Sequence, residues 1–143
     1  MKIIAKASLV AVVLSLACGT AQASDWKSTG TNAKEDFETF VDVSSIRVTG
    51  DIRLAWIKFV YEPTTVRGAG IHSQKWLDRE LVRYAFNCAE ELARVEAQST
   101  YFEDGTLVSP SADLFPAPWA PVVPDTMIES WMQVVCAWPE GTP

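Results

Sequence analysis

The run IRLAWIKFVYE, Ile52 to Glu62, stopped by Pro63, constrains this chain more than any other stretch. Read as a β-strand, it points Ile52, Leu54, Trp56 and Val60 one way and Ala55, Ile57, Phe59 and Tyr61 the other. Apolar side chains on both faces mean a central strand in a sheet covered on both sides. Pro63 cannot donate to a ladder, so the strand ends there. Upstream, Arg47-Val48 and a turn at Thr49-Gly50-Asp51 make it the second arm of a hairpin. Earlier still, Trp26 to Thr29 is expected as a short first strand and Thr31 to Asp36 as a polar loop. In FETFVDVSSI, Phe37, Phe40 and Val41 are apolar, Asp42, Ser44 and Ser45 can close local turns through their side chains, and Ile46 returns to the core.

The stretch YAFNCAEELARVEAQSTYFEDG, Tyr84 to Gly105, admits two readings. Its Glu, Ala, Leu and Arg content favours a helix on propensity. As a helix, however, Glu90, Glu91, Arg94 and Gln98 spread around the circumference and leave Leu92, Val95 and Ala97 without a stripe. As a strand, Val95, Ala97 and Tyr101 share one face and Arg94, Glu96 and Gln98 the other, the alternation of a half-buried antiparallel strand. Tyr84, Phe86 and Cys88 alternate too, Glu90-Glu91 suits a bulge or tight bend, and Glu103-Asp104-Gly105 suits a hairpin turn before Thr106 to Ser109. Strand is the stronger reading. Thr64 to Gln74 reads as a loop, and Trp76 to Leu81 has no clear type. SADLFPAPWAPVVPD is a proline-broken loop bearing Phe115 and Trp119. Thr126-Met127-Ile128-Glu129 is a capping box, so a helix begins there. On it Glu129, Ser130 and Gln133 form a narrow polar strip, with Ile128, Trp131, Met132 and Val135 turned away.

The N-terminus reads as an export signal over residues 1–23: Lys2 and Lys6, an apolar run from Ala7 to Ala17 too short to span a bilayer, and Ala21-Gln22-Ala23 as a cleavage site. Cleavage before Cys18 with lipidation of that residue, as in an outer-membrane lipoprotein, is the minor alternative. The mature chain from Ser24 keeps 12 − 2 = 10 basic residues against 18 acidic, a net charge of 10 − 18 = −8. That balance argues against nucleic acid and anionic membranes as partners. It also keeps two cysteines, Cys88 and Cys136, and an exported chain with two thiols is expected to pair them.

Few residues suggest chemistry. His72-Ser73 with Asp78 nearby resembles a base and nucleophile, yet adjacent side chains rarely aim at each other and no G-x-S-x-G elbow is present; an ordinary polar loop is the simpler reading. Glu90-Glu91 on a strand would point to opposite faces, which suits a solvated bend better than acid/base work. A single histidine, two cysteines expected to pair and no calcium-loop pattern leave no metal set. Gly68-Ala69-Gly70 lacks the rest of a phosphate loop. No catalytic residue and no cofactor is therefore expected. Of the tryptophans, Trp26, Trp56 and Trp131 are most simply core. Trp76, Trp119 and Trp138, in or beside loops, together with Phe115, are the candidate binding residues, with capping of the sheet as the plainer alternative.

In order and spacing, Phe40-Val41-Asp42 with Ser45-Ile46, the Trp56 strand, Asn87-Cys88-Ala89 with Arg94, the Tyr101 to Gly105 hairpin, Trp119 with Pro124, and Cys136 resemble the bacterial surface-adhesin protein E family. The likeness covers most of the mature chain. Ala93 departs from it, since the family commonly has an aromatic residue before the arginine. The resemblance implies an α+β fold: a small antiparallel β-sheet with a C-terminal α-helix packed on it and a Cys88–Cys136 disulfide, forming one adhesin-E-like domain over residues 24–143. It also implies exposure at the cell envelope, in the periplasm or at the cell surface, and its best-known member binds host matrix and serum proteins. The expectation is a non-enzymatic exported protein that engages a protein partner through sheet or loop surface. The rival is a periplasmic small-ligand binder or enzyme with a pocket between helix and sheet. A concave polar cavity near His72 and Arg67 would favour the rival, and a flat aromatic surface would favour protein binding. The helix is expected over the sheet face around Trp56. Ile57, Phe59 and Tyr61 would then need cover from loops or from a second copy, which gives the expectation of a homodimer through the sheet or its edge.

Overall fold

The computed structural model describes residues 23–32 and 36–139. The export signal up to residue 22, with Cys18, lies outside the described residues. Strands β1 (Trp26–Asn32), β2 (Phe37–Thr49), β3 (Ile52–Tyr61), β4 (Leu77–Asn87), β5 (Leu92–Phe102) and β6 (Leu107–Val108) form an antiparallel meander in that spatial order, and β7 (Ala120–Pro121) pairs with β5. One helix, α1 (Met127–Ala137), follows.

The strand reading of the Tyr84–Gly105 stretch is the observed one. Packing overrides helix propensity: β4 and β5 pair along nearly their whole lengths, with a register shift at Arg83/Tyr84. The bend between them is closed by Asn87, whose side-chain oxygen accepts from the N–H groups of Ala89 and Glu90, both at 3.2 Å. The segment from Trp76 to Leu81 supplies the start of β4. The expected break at Asp42 to Ser45 is instead a bulge inside a continuous β2. The short polar side chains do close the backbone there. Asp42 Oδ1 accepts from the Ser44 hydroxyl at 2.6 Å, and Ser45 Oγ donates to Asp42 O at 2.6 Å while accepting from Trp56 N at 3.0 Å. At the other end, β1 runs on through Thr31 and Asn32, part of the expected loop.

Thr126 caps α1, its hydroxyl accepting from Glu129 N at 3.4 Å, while the Glu129 carboxylate accepts from Asp125 N at 2.7 Å. The helix sends Trp131 and Val135 into the core with Val41, Ile57, Ala55 and Phe86. Cys88 and Cys136 are bonded, with Cα atoms 5.8 Å apart. At the helix C-terminus the Arg53 guanidinium donates to Val135 O at 3.2 Å and to Trp138 O, a cation placed at the negative end of the helix.

One expectation is corrected. The helix does not cover the face around Trp56; it covers Ala55, Ile57 and Phe59, with Phe59 and Trp131 rings edge to face at 5.3 Å. The cause lies in register. Pairing puts Tyr84 opposite Ala55 and Phe86 opposite Arg53, so Cys88, two residues beyond Phe86, continues that face and draws Cys136 to it.

Candidate functional site

The face opposite the helix is formed by alternate residues of the same strands. Across it, Trp56 on β3 pairs with Asp42 on β2 and Arg83 on β4, Lys58 pairs with Phe40 and Leu81, and Val60 with Arg79. Further out, Trp26 on β1 stands opposite Asp42, and Tyr101 on β5 opposite Arg79. Helix α1 lies on the other side, and a 3-10 turn at Ala112–Leu114 meets this face only at its β5 margin, beside Ala97 and Ser99. Trp56, Trp26 and Phe40 are half-buried among their neighbours, so two of the tryptophans expected in the core belong to this open surface.

Cations sit on the rings of this face. The Lys58 ammonium is 4.3 Å from the centre of the Trp26 ring and 4.7 Å from that of Phe40, and the Arg79 guanidinium is 4.1 Å from Tyr101. Arg94, directly opposite Ala85, lies 4.5 Å from the Trp119 ring. Such contacts attract a cation to the negative face of a ring and leave its charge available to a third group. Arg79 and Arg94 also pair with the carboxylates of Asp78 and Glu96. Lys58 and Arg83 have no carboxylate partner among the described residues.

The predicted binding residues are not gathered into one patch. Phe115 and Trp119 belong to a segment that runs along the outer edge of β5: Ala117 N donates to Val95 O at 2.8 Å and Val122 N to Glu91 O at 2.9 Å. With β6 and β7 that segment covers the edge, where open backbone groups would invite further pairing. Phe115 borders a shallow depression with Ala97, Ser99 and Pro110. Trp76 lies at the start of β4 with the Arg67 guanidinium 3.7 Å above its ring. Trp138 follows the helix and packs against the core on the opposite side of the sheet. Phe40, Lys58, Arg83 and Tyr101 were missed from sequence. Their signal is the alternation Trp56-Lys58-Val60, but it becomes a surface only once the strand pairing is known.

A cleft is present near His72 and Arg67, but its walls are mostly apolar and α1 does not border it, unlike the polar pocket between helix and sheet expected of a ligand binder. It measures about 260 Å³ and is bordered by Arg67, His72, Leu77, Glu80, Thr100 and Phe102. His72 does not face Ser73 or Asp78 as a base would; its ring packs on Phe102 at 5.3 Å, with Nδ1 buried and unpartnered. The backbone here is tight: a Cβ on Gly68 would meet the Phe102 ring at 2.6 Å and His72 O at 2.7 Å. At its polar end Glu80 accepts from Tyr61 Oη at 2.8 Å, Thr100 Oγ1 at 2.8 Å and Gln98 Nε2 at 3.1 Å. Its carboxylate is thus engaged within the protein. Burial and the nearby Glu80 charge push the Tyr84 hydroxyl pKa up. The 103–106 turn holds the other perturbed group, Asp104, kept below the usual carboxylate range by hydrogen bonds from Lys75 and Thr106. Glu90 and Glu91 sit exposed in the β4–β5 bend. Among the described residues no three His, Cys, Asp or Glu side chains gather as metal ligands do, and no helix is long and apolar enough to cross a membrane.

Residues 26–137 match the family model described as surface-adhesin protein E. Among solved structures, the selenomethionine form of Haemophilus influenzae protein E is similar at a TM-score of 0.52 and 17% identity, covering 81% of this chain and 93% of that one. Another structure of Haemophilus influenzae protein E gives 0.51 and 16% identity, covering 76% of this chain and 88% of that one. At such identities the likeness is one of fold. No curated protein sequence matches the chain.

Proposed function

This chain belongs to the surface-adhesin protein E family, and we propose that it is an exported, non-enzymatic surface protein that binds a protein partner through the open face of its sheet. One observation carries the proposal: a sheet face turned away from α1 on which half-buried aromatic rings and cations alternate. Interface anchors are typically Trp, Tyr and Arg side chains held rigid by their neighbours, and a flat face spanning several strands suits a macromolecule better than a metabolite. Trp119 and Phe115 extend this surface at the β5 edge. Trp138 and Trp76 are left to structural roles.

The test compares immobilised wild type with Trp56→Ser, offered soluble extracellular-matrix proteins and proteins of its own envelope. A partner retained by wild type and lost by Trp56→Ser supports the reading. Equal retention by both places binding elsewhere and contradicts it.

A second reading rests on the cleft between Arg67 and Thr100. Its apolar walls of Leu77, Phe102 and Val108 suit a small apolar ligand. A small molecule that co-purifies and is displaced by Leu77→Trp would favour it.

Homodimerisation, expected at first through Ile57, Phe59 and Tyr61, needs a different surface, because the helix covers Phe59. If a second copy docks on the sheet, the open face is the place for it. Sedimentation at high micromolar concentration should then show a dimer that Trp56→Glu dissociates, whereas a monomeric wild type removes the dimer.

A further inference from the structure

We propose that the open face takes an extended acidic segment of its protein partner, with carboxylates on one side of the segment meeting Lys58 and Arg83 beside Trp56. This rests on the protein-binding reading above and names the chemistry of the partner.

The charge distribution points this way. The mature chain carries a net charge of 10 − 18 = −8, yet Arg47, Lys58, Arg79, Arg83 and Arg94 all stand on this one face. Its carboxylates Glu38 and Asp42 are engaged locally, Glu38 by the Ser28 hydroxyl at 2.8 Å and Asp42 by the Ser44 hydroxyl at 2.6 Å and the Asp25 N–H at 3.0 Å. Carboxylates answer Arg79 and Arg94. Arg47 donates to the carbonyls of Ser44 and Ile46, at 3.1 and 2.9 Å. Lys58 and Arg83 remain unneutralised among the described residues, in the middle of the face. Lys58 is already oriented by two rings, so less side-chain freedom is lost when an anion binds it.

Spacing selects the form of the anion. Lys58 pairs with Leu81, so Arg83 is its diagonal neighbour on β4, with the two backbone positions about 7–8 Å apart. The Lys58 ammonium leans over Trp26 and Phe40, toward β1 and β2, so the two charges stand further apart than their positions. In an extended peptide, side chains on one face repeat at about 6.6–6.8 Å. Acidic residues repeated along one side of an extended segment can therefore set one carboxylate on Lys58 and a later one on Arg83, whose guanidinium donates to it in bidentate fashion. Trp56, directly opposite Arg83 and two residues before Lys58 on β3, stands beside both contacts. A sulfated polysaccharide shares the negative charge, but it would use ring faces as sugar platforms. Here Lys58, Arg79 and Arg94 already cover Trp26, Phe40, Tyr101 and Trp119.

The test is fluorescence anisotropy with the purified protein and three labelled probes: an octapeptide of alternating Glu and Ser, its Lys and Ser counterpart, and a sulfated oligosaccharide of similar length. Variants Lys58→Glu and Arg83→Gln are compared with Lys75→Gln, which lies at the 103–106 turn, and thermal transitions check that each is folded. The expected result is binding of the acidic peptide alone, weakened about tenfold or more by Lys58→Glu and by Arg83→Gln and unchanged by Lys75→Gln. The proposal is overturned by no preference for the acidic over the basic peptide, by tighter binding of the oligosaccharide, or by folded variants that bind as wild type does. If wild type and both variants retain the same protein partner equally, the acidic-segment proposal falls while protein binding stands. If no protein partner is retained by any of them, protein binding itself falls.

Discussion

Thr39 is wholly buried, and its hydroxyl lies 3.3 Å from Trp131 Nε1 and 3.0 Å from the Thr29 hydroxyl. It is the polar point at which helix and sheet meet. Thr39→Val keeps the shape but leaves the indole N–H without its acceptor, so it should cost about 1–3 kcal/mol in urea unfolding; a change below about 0.3 kcal/mol would show that the contact contributes nothing. Tyr84 gives a pH signature. Its pKa is raised above 10.0 in the folded state, first by burial and then by Glu80, so the folded protein holds this proton more tightly than the unfolded chain does. The associated stability is present below pH 10.0 and is lost as pH rises from there through the raised folded value. Tyr84→Phe should therefore flatten the fall in urea midpoint above pH 10 relative to wild type. Parallel curves for the two proteins would contradict the assignment.

The β4–β5 hairpin and α1 show what could be read from the chain and what could not. Alternation in β5, the Asp-Gly turn and the capping box at Thr126 are local patterns, and each element followed from them. The faces within β5 did not: the register shift at Arg83/Tyr84 puts Arg94 on the same face as Ala97 and Tyr101 and Val95 on the other, where simple alternation had grouped Val95 with Ala97 and Tyr101. Which face of β3 the helix would cover did not follow, because both faces are apolar and alternation is symmetric. That choice depends on pairing Ala55 with Tyr84, a contact between residues far apart in sequence. The same gap hid the surface proposed for binding. Lys58 and Arg83 look like ordinary solvated charges until register sets them beside Trp56, and Trp76 and Trp138 were singled out from their loop positions, while the fold places them away from that face. The disulfide was legible from cysteine number and compartment. It closes a loop of 48 residues between β4 and α1. In the chain-entropy model such a loop stabilises by about 4 kcal/mol, so replacing both Cys88 and Cys136 by Ala should lower unfolding free energy by roughly that amount. Unchanged stability under non-reducing conditions would show that the clip adds nothing to the packing of α1.

Over the whole molecule, one sheet serves two purposes. The helix side buries Val41, Ile57, Phe86, Trp131 and Val135 and is closed by the disulfide. The other side keeps its rings half-exposed under cations in a protein that is otherwise acidic. Family membership agrees with a surface role, and the division of the two faces says where that role would be carried. Trp56 and Ile57 are adjacent in sequence and point to opposite sides, so substituting each by glutamate separates the two purposes. Ile57 is fully buried, and Ile57→Glu should cost more than about 4 kcal/mol or prevent folding. Trp56→Glu should cost about 1 kcal/mol and abolish retention of the partner. The most direct measurement is urea unfolding of both variants, with partner retention measured for whichever remains folded. A folded Trp56→Glu that no longer binds, beside an Ile57→Glu that is unfolded or destabilised by more than about 4 kcal/mol, is the predicted result; an Ile57→Glu close to wild-type stability, or a folded Trp56→Glu that binds as wild type does, would contradict the account.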